Sequence, residues 1–257
     1  MATLLLKKSY RHKDLKEIPF KDLWSSYGIF TTMRVVGKPL KIILFKNHID
    51  NLIKSLKIYK IKDKNLKKNI LKLIKINLNE RKYLDHLLRV AVNNKFISIS
   101  IRKRPKVKKN FNLKLINYQR IDPRHKNLKY KKILNLIKNI DVKKMDIALY
   151  RNSKFLETGT SNLLFVKQNK IFSPKNNFYN GTTLKFLSKK FKKIKKTNIY
   201  LDSLMSYDEI IIVGSGKGVI SVNSVKNTTW KRKSFKNYRI LNNIYQKAVK
   251  NCPTYKS

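Results

Sequence analysis

The chain is poor in cysteine, in acid and in long apolar runs. Cys252 is the single cysteine among 257 residues, which excludes an internal disulfide and any metal site built from several cysteines; no metal site is expected. No apolar run approaches the roughly 20 residues needed to span a bilayer. The opening stretch Met1-Ala-Thr-Leu-Leu-Leu-Lys7 is too short in apolar residues for a secretory leader. These absences predict a reducing cytoplasm and no membrane partner. Acid is scarcest of all: 14 Asp+Glu stand against 61 Lys+Arg, a formal net charge of +47. Such charge attracts polyanions. The lysines, however, are spread over 60–75, 103–109 and 189–196, with no basic arm and no signature of a nucleic-acid module beside them. Lys, Asn and Ile all have AT-rich codons, so the charge is read as codon bias, with nonspecific, salt-sensitive adhesion to nucleic acid as its consequence.

What is present is a globular composition, 42% hydrophobic and 29% charged. Residues 29–36 and 40–45 predict a hairpin around Gly37-Lys38-Pro39. Helical spacing predicts helices over 47–59 and 63–78, and β runs follow at 87–92, 96–101 and 112–118. Beyond Arg120-Ile-Asp-Pro-Arg-His125 comes a helix at about 128–139, then short strands at 146–150, 154–157, 162–167 and 170–173. A helix from Thr182 toward Lys193, strands at 208–213 and 219–225 and a helix over 236–250 complete the pattern. Strands grouped in runs predict an α+β fold and not regular βαβ winding. The expected division is an N-terminal domain 1–119, a linker 120–125 and a β-rich C-terminal domain 126–257.

Four segments of the second half carry chemistry together: Lys126-Asn-Leu-Lys-Tyr130, Glu157-Thr-Gly-Thr-Ser-Asn-Leu-Leu-Phe165, Asn180-Gly-Thr-Thr183 and Val213-Gly-Ser-Gly216. Each alone is ordinary: a solvated lysine, a strand-end carboxylate, a helix cap and a turn. Jointly they supply what pyridoxal 5'-phosphate (PLP) requires. Those needs are a lysine amine for its aldehyde, an acid for its pyridine nitrogen, and helix N–H groups with hydroxyls for its phosphate. Lys126 would serve as the nucleophilic amine, activated by burial and nearby positive charge. Glu157 would face the ring nitrogen, and Thr182, Thr183 and Ser215 the phosphate.

At these residues the sequence resembles the class IV aminotransferase family: branched-chain aminotransferases, D-amino-acid aminotransferases and aminodeoxychorismate lyases. Glu157–Phe165 is similar to the family's E-G-x-x-S-N-hydrophobic-F pattern, and Asp208–Gly216 to its D-E-hydrophobic strand ending at a phosphate-binding Ser/Thr. In the first half, Gly28–Val35 resembles G-x-F-[ET]-T-x-R-V and His48–Leu52 resembles H-x-x-R-L. The resemblance implies fold type IV, with a small α/β N-terminal domain, a larger pseudo-barrel C-terminal domain and a homodimer. It places the cofactor-bearing lysine at Lys126 and the tyrosine that follows it at Tyr130. Asn51 and Leu184 stand where the family has arginines, the β-loop is trimmed to Asn93-Asn94-Lys95, and the residues before Gly28 are not F-G-D. Lys54 and Lys217 are candidates to replace the missing charge.

The segment Phe30-Thr31-Thr32-Met33-Arg34-Val35 is closest to aminodeoxychorismate lyases, which release pyruvate and 4-aminobenzoate in folate biosynthesis. Phe30 stands where D-amino-acid aminotransferases carry a tyrosine. Phe30, Thr32, Arg34 and Arg120 are candidates to bind a small-molecule amino substrate, the arginines through its carboxylates. A branched-chain or D-amino-acid aminotransferase, a non-catalytic family member and a basic nucleic-acid-binding protein are the alternatives.

Overall fold

The computed structural model describes residues 4–78 and 85–255. The chain forms two compact units. The first takes the chain up to Arg104, then His125–Lys132 and the residues from Cys252; the second takes Pro105–Arg124 and Ile133–Asn251.

In the first unit, β1 (Leu4–Arg11), β2 (Glu17–Ile18), β3 (Gly28–Val36), β4 (Lys41–Ile42), β5 (Asp85–Asn93) and β6 (Phe96–Lys103) form one sheet, ordered β2-β1-β6-β5-β3-β4. Helices α1 (Phe45–Ile58) and α2 (Leu66–Leu78) cover one of its faces. Strand alternation sends Met33 and Val35 of β3, Leu88 and Val90 of β5 and Ile99 and Ile101 of β6 into that layer. They pack with Ile49, Leu52 and Leu56 of α1 and Ile70, Leu73 and Ile74 of α2, which recur at helical spacing. The alternate positions of β3, Phe30, Thr32 and Arg34, point to the other face. Gly28 opens β3 because a Cβ there would lie 2.3 Å from the Val92 carbonyl oxygen and 2.7 Å from Leu128 Cδ1.

The second unit holds β7 (Phe111–Asn117), β8 (Met145–Arg151), β9 (Lys154–Thr158), β10 (Asn162–Lys167), β11 (Lys170–Pro174), β12 (Ile194–Thr197), β13 (Glu209–Gly214) and β14 (Gly218–Val225). Their order in one sheet is β12-β11-β10-β13-β14-β7-β8-β9. This order forces curvature. Edge strand β9 lies five spacings from β10 in the ladder, about 24 Å across a flat sheet. Yet Thr158 and Asn162 are joined by only three residues, a reach of about 14 Å. The sheet therefore curls into the half-barrel of fold type IV. Helices α4 (Thr182–Phe191) and α5 (Lys236–Lys250) pack on β13, and α3 (Lys131–Ile137) carries the chain from the first unit into the second. The N-terminus of α5 is capped by fully buried Glu209, whose carboxylate accepts from the Asn237 and Tyr238 amides at 2.9 Å.

The α+β class and fold type IV are as expected, and no helix among the described residues is long and apolar enough to cross a membrane. Several elements differ from the expectation. The strand expected over 40–45 is only Lys41–Ile42, because Leu44 takes φ 56 and turns the chain into α1. The helix expected at 128–139 is confined to Lys131–Ile137. Helix α4 stops at Phe191, where Lys192 at φ 55 closes its end. Strands β1, β2 and β12 were not anticipated. The lysine-rich Ile194–Thr197 has no strand periodicity of its own and is ordered by parallel pairing to β11, Ile171 opposite Ile194.

Candidate active site

In the first unit, residues 126–128 lie along the start of β3 as a short added strand. The Phe30 amide donates to the Lys126 carbonyl and the Leu128 amide to the Gly28 carbonyl, each at 2.9 Å, and Ile29 bridges Asn127. This pairing fixes the backbone from which the Lys126 side chain projects. Its Nζ sits over the Phe30 ring at 4.8 Å and the Tyr130 ring at 5.8 Å. Both rings are buried. Trp24, which carried no sequence signal, packs edge-on to Phe30 at 4.9 Å and stacks on Tyr130 at 5.7 Å. One residue beyond Phe30, the Thr31 hydroxyl shares a 2.8 Å hydrogen bond with Nδ1 of buried His48. Burial, aided by the positive charge of Lys126, pushes the His48 pKa down to about 3. That imidazole is therefore neutral at physiological pH and adds no competing charge beside the amine.

Thr32 is half-buried opposite Arg89. Arg34 donates from Nε to Asp85 at 3.0 Å, a carboxylate it shares with Arg104. Asn51 is half-buried on α1, and Lys54 is exposed one turn further on. The trimmed loop is a tight hairpin end, in which Asn93 Oδ1 accepts from the Lys95 and Phe96 amides at 2.9 and 2.8 Å.

In the second unit, Glu157 at the end of β9 and Arg120 are each 5% exposed. Arg120 Nε donates to Glu157 Oε1 at 2.7 Å and its Nη2 to the Pro123 carbonyl at 2.9 Å. Arg120 is thus a partner of Glu157, a different role from the substrate-carboxylate contact expected of it. The other carboxylate oxygen accepts from the Tyr179 amide at 3.3 Å. Asn162 at the start of β10 donates to the Tyr179 carbonyl at 2.5 Å and accepts from the Gly181 amide at 3.1 Å. Gly181 is the N-cap of α4, with no side-chain cap and no acid in the first turn. Burial raises the Tyr179 phenol to about 12, against smaller lowering by Arg120 and by a hydrogen bond with Thr182. Thr182 and Thr183 are buried, and the Thr183 hydroxyl lies 3.2 Å from that of Ser215 in the β13–β14 turn. One continuous set of contacts thus runs from Arg120 through Glu157, Tyr179, Asn162 and Gly181 to Thr182, Thr183 and Ser215. Asn162 stands within the Glu157–Phe165 motif, where nothing local marks its task. Tyr179 had no signal beyond its place before Asn180-Gly181.

This set fits PLP. The α4 N-terminus carries partial positive charge without acid beside it and is lined by three hydroxyls, the donor set a phosphate takes. Among the described residues, the buried Ser161 hydroxyl between Glu157 and Asn162 has no hydrogen-bond partner, a group that a ligand would satisfy. A carboxylate held against a buried guanidinium stays ionised and accepts the N–H of a protonated ring nitrogen. The Lys217 amine, a candidate for the missing charge, donates to Asp146 at 2.6 Å.

The family model described as Amino-transferase class IV matches residues 28–225. Among solved structures, the chain is similar to a putative branched-chain amino acid aminotransferase from Thermotoga maritima, with TM-score 0.76 and 16% identity over 95% of this chain and 96% of that one. The branched-chain aminotransferase of Thermoproteus uzoniensis with norvaline gives TM-score 0.75 and 15% identity over 96% and 99%. A hypothetical aminotransferase from Mycobacterium tuberculosis in PLP-bound form gives 0.75 and 12% over 95% and 99%. No curated protein matches the sequence. At these identities the solved structures establish the fold, and the family match over most of the length establishes the rest: the chain belongs to the class IV aminotransferases, PLP-dependent enzymes of fold type IV.

Proposed function

We propose that this protein moves the amino group of a small-molecule amino acid to a 2-oxo acid, with Lys126 holding PLP and then serving as the general base. The observation that carries this reading is the buried Glu157 carboxylate, held by Arg120 at 2.7 Å and linked through Tyr179 and Asn162 to the hydroxyl-lined end of α4. When bound, PLP supplies an electron-accepting ring. Glu157, held by Arg120, would accept the ring N–H. Thr182, Thr183, Ser215 and the α4 N-terminus take the phosphate. Displaced from the cofactor's aldehyde by the substrate's amine, the Lys126 amine would take the proton from the carbon bearing the substrate's amino group. Phe30 and Tyr130 form an apolar wall beside that amine and keep water away from it, while Thr32 and Arg34 on the same face of β3 are proposed substrate contacts. The names of the similar structures support amino transfer over other chemistry of the class. The enzyme is further proposed to act as a cytoplasmic homodimer, which sedimentation at working concentration tests.

A second reading rests on the segment Phe30–Val35, which is closest to aminodeoxychorismate lyases. There Lys126 would remove a ring proton from 4-amino-4-deoxychorismate, pyruvate would leave, and the aromatised ring would depart as 4-aminobenzoate. One experiment separates the two. Purified protein with PLP is given a panel of amino acids with 2-oxoglutarate, and separately aminodeoxychorismate. Glutamate formation supports amino transfer; pyruvate release without glutamate supports the lyase. Protein that neither takes up PLP nor turns over either substrate class refutes both.

A further inference from the structure

We infer that the buried Lys217–Asp146 ion pair is a positioning element, which sets the Glu157 end of the cofactor site in register with its Ser215 end. The inference rests on the proposed PLP reading and concerns two residues to which that reading gives no task. Asp146, the second residue of β8, is 2% exposed, and Lys217, in the β13–β14 turn two residues after Ser215, is 6% exposed. Lys217 Nζ donates to Asp146 Oδ2 and to the Thr160 hydroxyl, each at 2.6 Å. The same carboxylate oxygen accepts from the hydroxyls of Thr158 at 2.9 Å and Thr160 at 2.8 Å, while Oδ1 accepts from the Ile147 amide at 2.8 Å.

Those threonines belong to the turn that starts immediately after Glu157. Within it, the Thr158 hydroxyl accepts from the Ser161 amide at 2.8 Å, and the Thr158 amide donates to the Ser161 carbonyl at 2.8 Å. Across from it, a Cβ on Gly214 would stand 2.5 Å from the Ser161 hydroxyl oxygen, so the two turns abut and a side chain there would have to displace that hydroxyl. One salt bridge therefore ties the turn carrying the ring-nitrogen acceptor to the turn carrying a phosphate donor. A pair of apolar side chains would fill this space with less desolvation. What such residues lack is direction: dispersion tolerates sliding, whereas a 2.6 Å ammonium contact shared by a carboxylate and a hydroxyl does not. The pair therefore serves geometry more than cohesion.

The test uses purified full-length protein with PLP itself as the probe: wild type, Lys217→Met, Lys217→Arg, and the double change Lys217→Met with Asp146→Leu. The double variant leaves no unpaired buried charge, so thermal melting without PLP should stay close to wild type. PLP titration should nonetheless show about a tenfold or larger rise in Kd for both Lys217→Met and the double variant. A weakened visible circular-dichroism band should report a cofactor held less rigidly. Lys217→Arg, which keeps the charge and its directed donors, should recover most of the affinity and the band. Wild-type affinity and an unchanged band in either Met variant would overturn the inference and leave the pair a structural one. If the wild-type protein itself takes up no PLP, the functional reading beneath it falls first, a result recognisable before any variant is made.

Discussion

The groups around Lys126 and those around Glu157 are held by different forces. In the first unit, the lysine amine is met by the faces of Phe30 and Tyr130, with Trp24 packed behind them and a neutral His48 nearby. In the second, Glu157 and Asp146 are fixed by short, directed bonds from Arg120, Lys217, threonine hydroxyls and backbone amides. Ring faces attract a cation without dictating one position. Charge-assisted hydrogen bonds penalise displacement. The division suits the proposed chemistry, in which a base collects a proton while the acceptor of a ring N–H holds its place.

Four experiments can break or sharpen this contrast. The largest effect is expected for Lys126→Ala. Loss of the general base should lower turnover by at least about 10²–10⁴-fold, and borohydride should no longer fix PLP to the chain, as peptide mass mapping would show. Next comes Arg120→Met, which strands a buried carboxylate. Denaturant melts should show a loss of roughly 3–5 kcal/mol; a melt like wild type would mean that the directed bonds of the second unit do not carry the weight given to them.

Third is a pH effect from the first unit. The His48 pKa is about 3 in the folded protein against 6.5 for the free side chain. Between those values the unfolded chain holds a proton that the folded one excludes. His48 therefore favours folding fully above pH 6.5 and progressively less as pH falls toward 3, by about 1.4 kcal/mol per pH unit. His48→Gln should remove that share of the slope in melts taken from about pH 7 to about pH 5. Smallest is Lys67→Ala. It deletes an exposed 3.3 Å pair with Asp50, and the change should stay within about 1 kcal/mol. A larger loss would blur the distinction between buried and surface pairs on which the contrast depends.

Much of the scaffold was legible locally. The turn residues Asn93-Asn94-Lys95 and Gln168-Asn169 marked two hairpins, and the spacing of Ile49, Leu52 and Leu56 marked α1. The segment Glu157–Phe165 carried its resemblance because a strand, a turn and a strand are all encoded within nine consecutive residues. What escaped was partnership over distance. Arg120 read as a substrate contact because its partner lies 37 positions away, and Lys217 read as spare charge because Asp146 is 71 positions away. In a chain with 61 basic residues, charge marks no position as special, and it is burial that sets these two apart, at 5% and 6% exposed.

The sequence by itself determined the order of elements apart from β1, β2 and β12, the α+β class and the short motifs with their attachment to strand ends and helix starts, since each depends on periodicity or turn chemistry within about ten residues. Tertiary structure decided the curl that brings β9 back to β10, the recruitment of Ile194–Thr197 as a strand, and the assignment of Arg120 to Glu157 and of Lys217 to Asp146. The reason is that removing a charge from water requires a partner, and which partner arrives is set by the path of the folded chain, a quantity that local pattern does not contain.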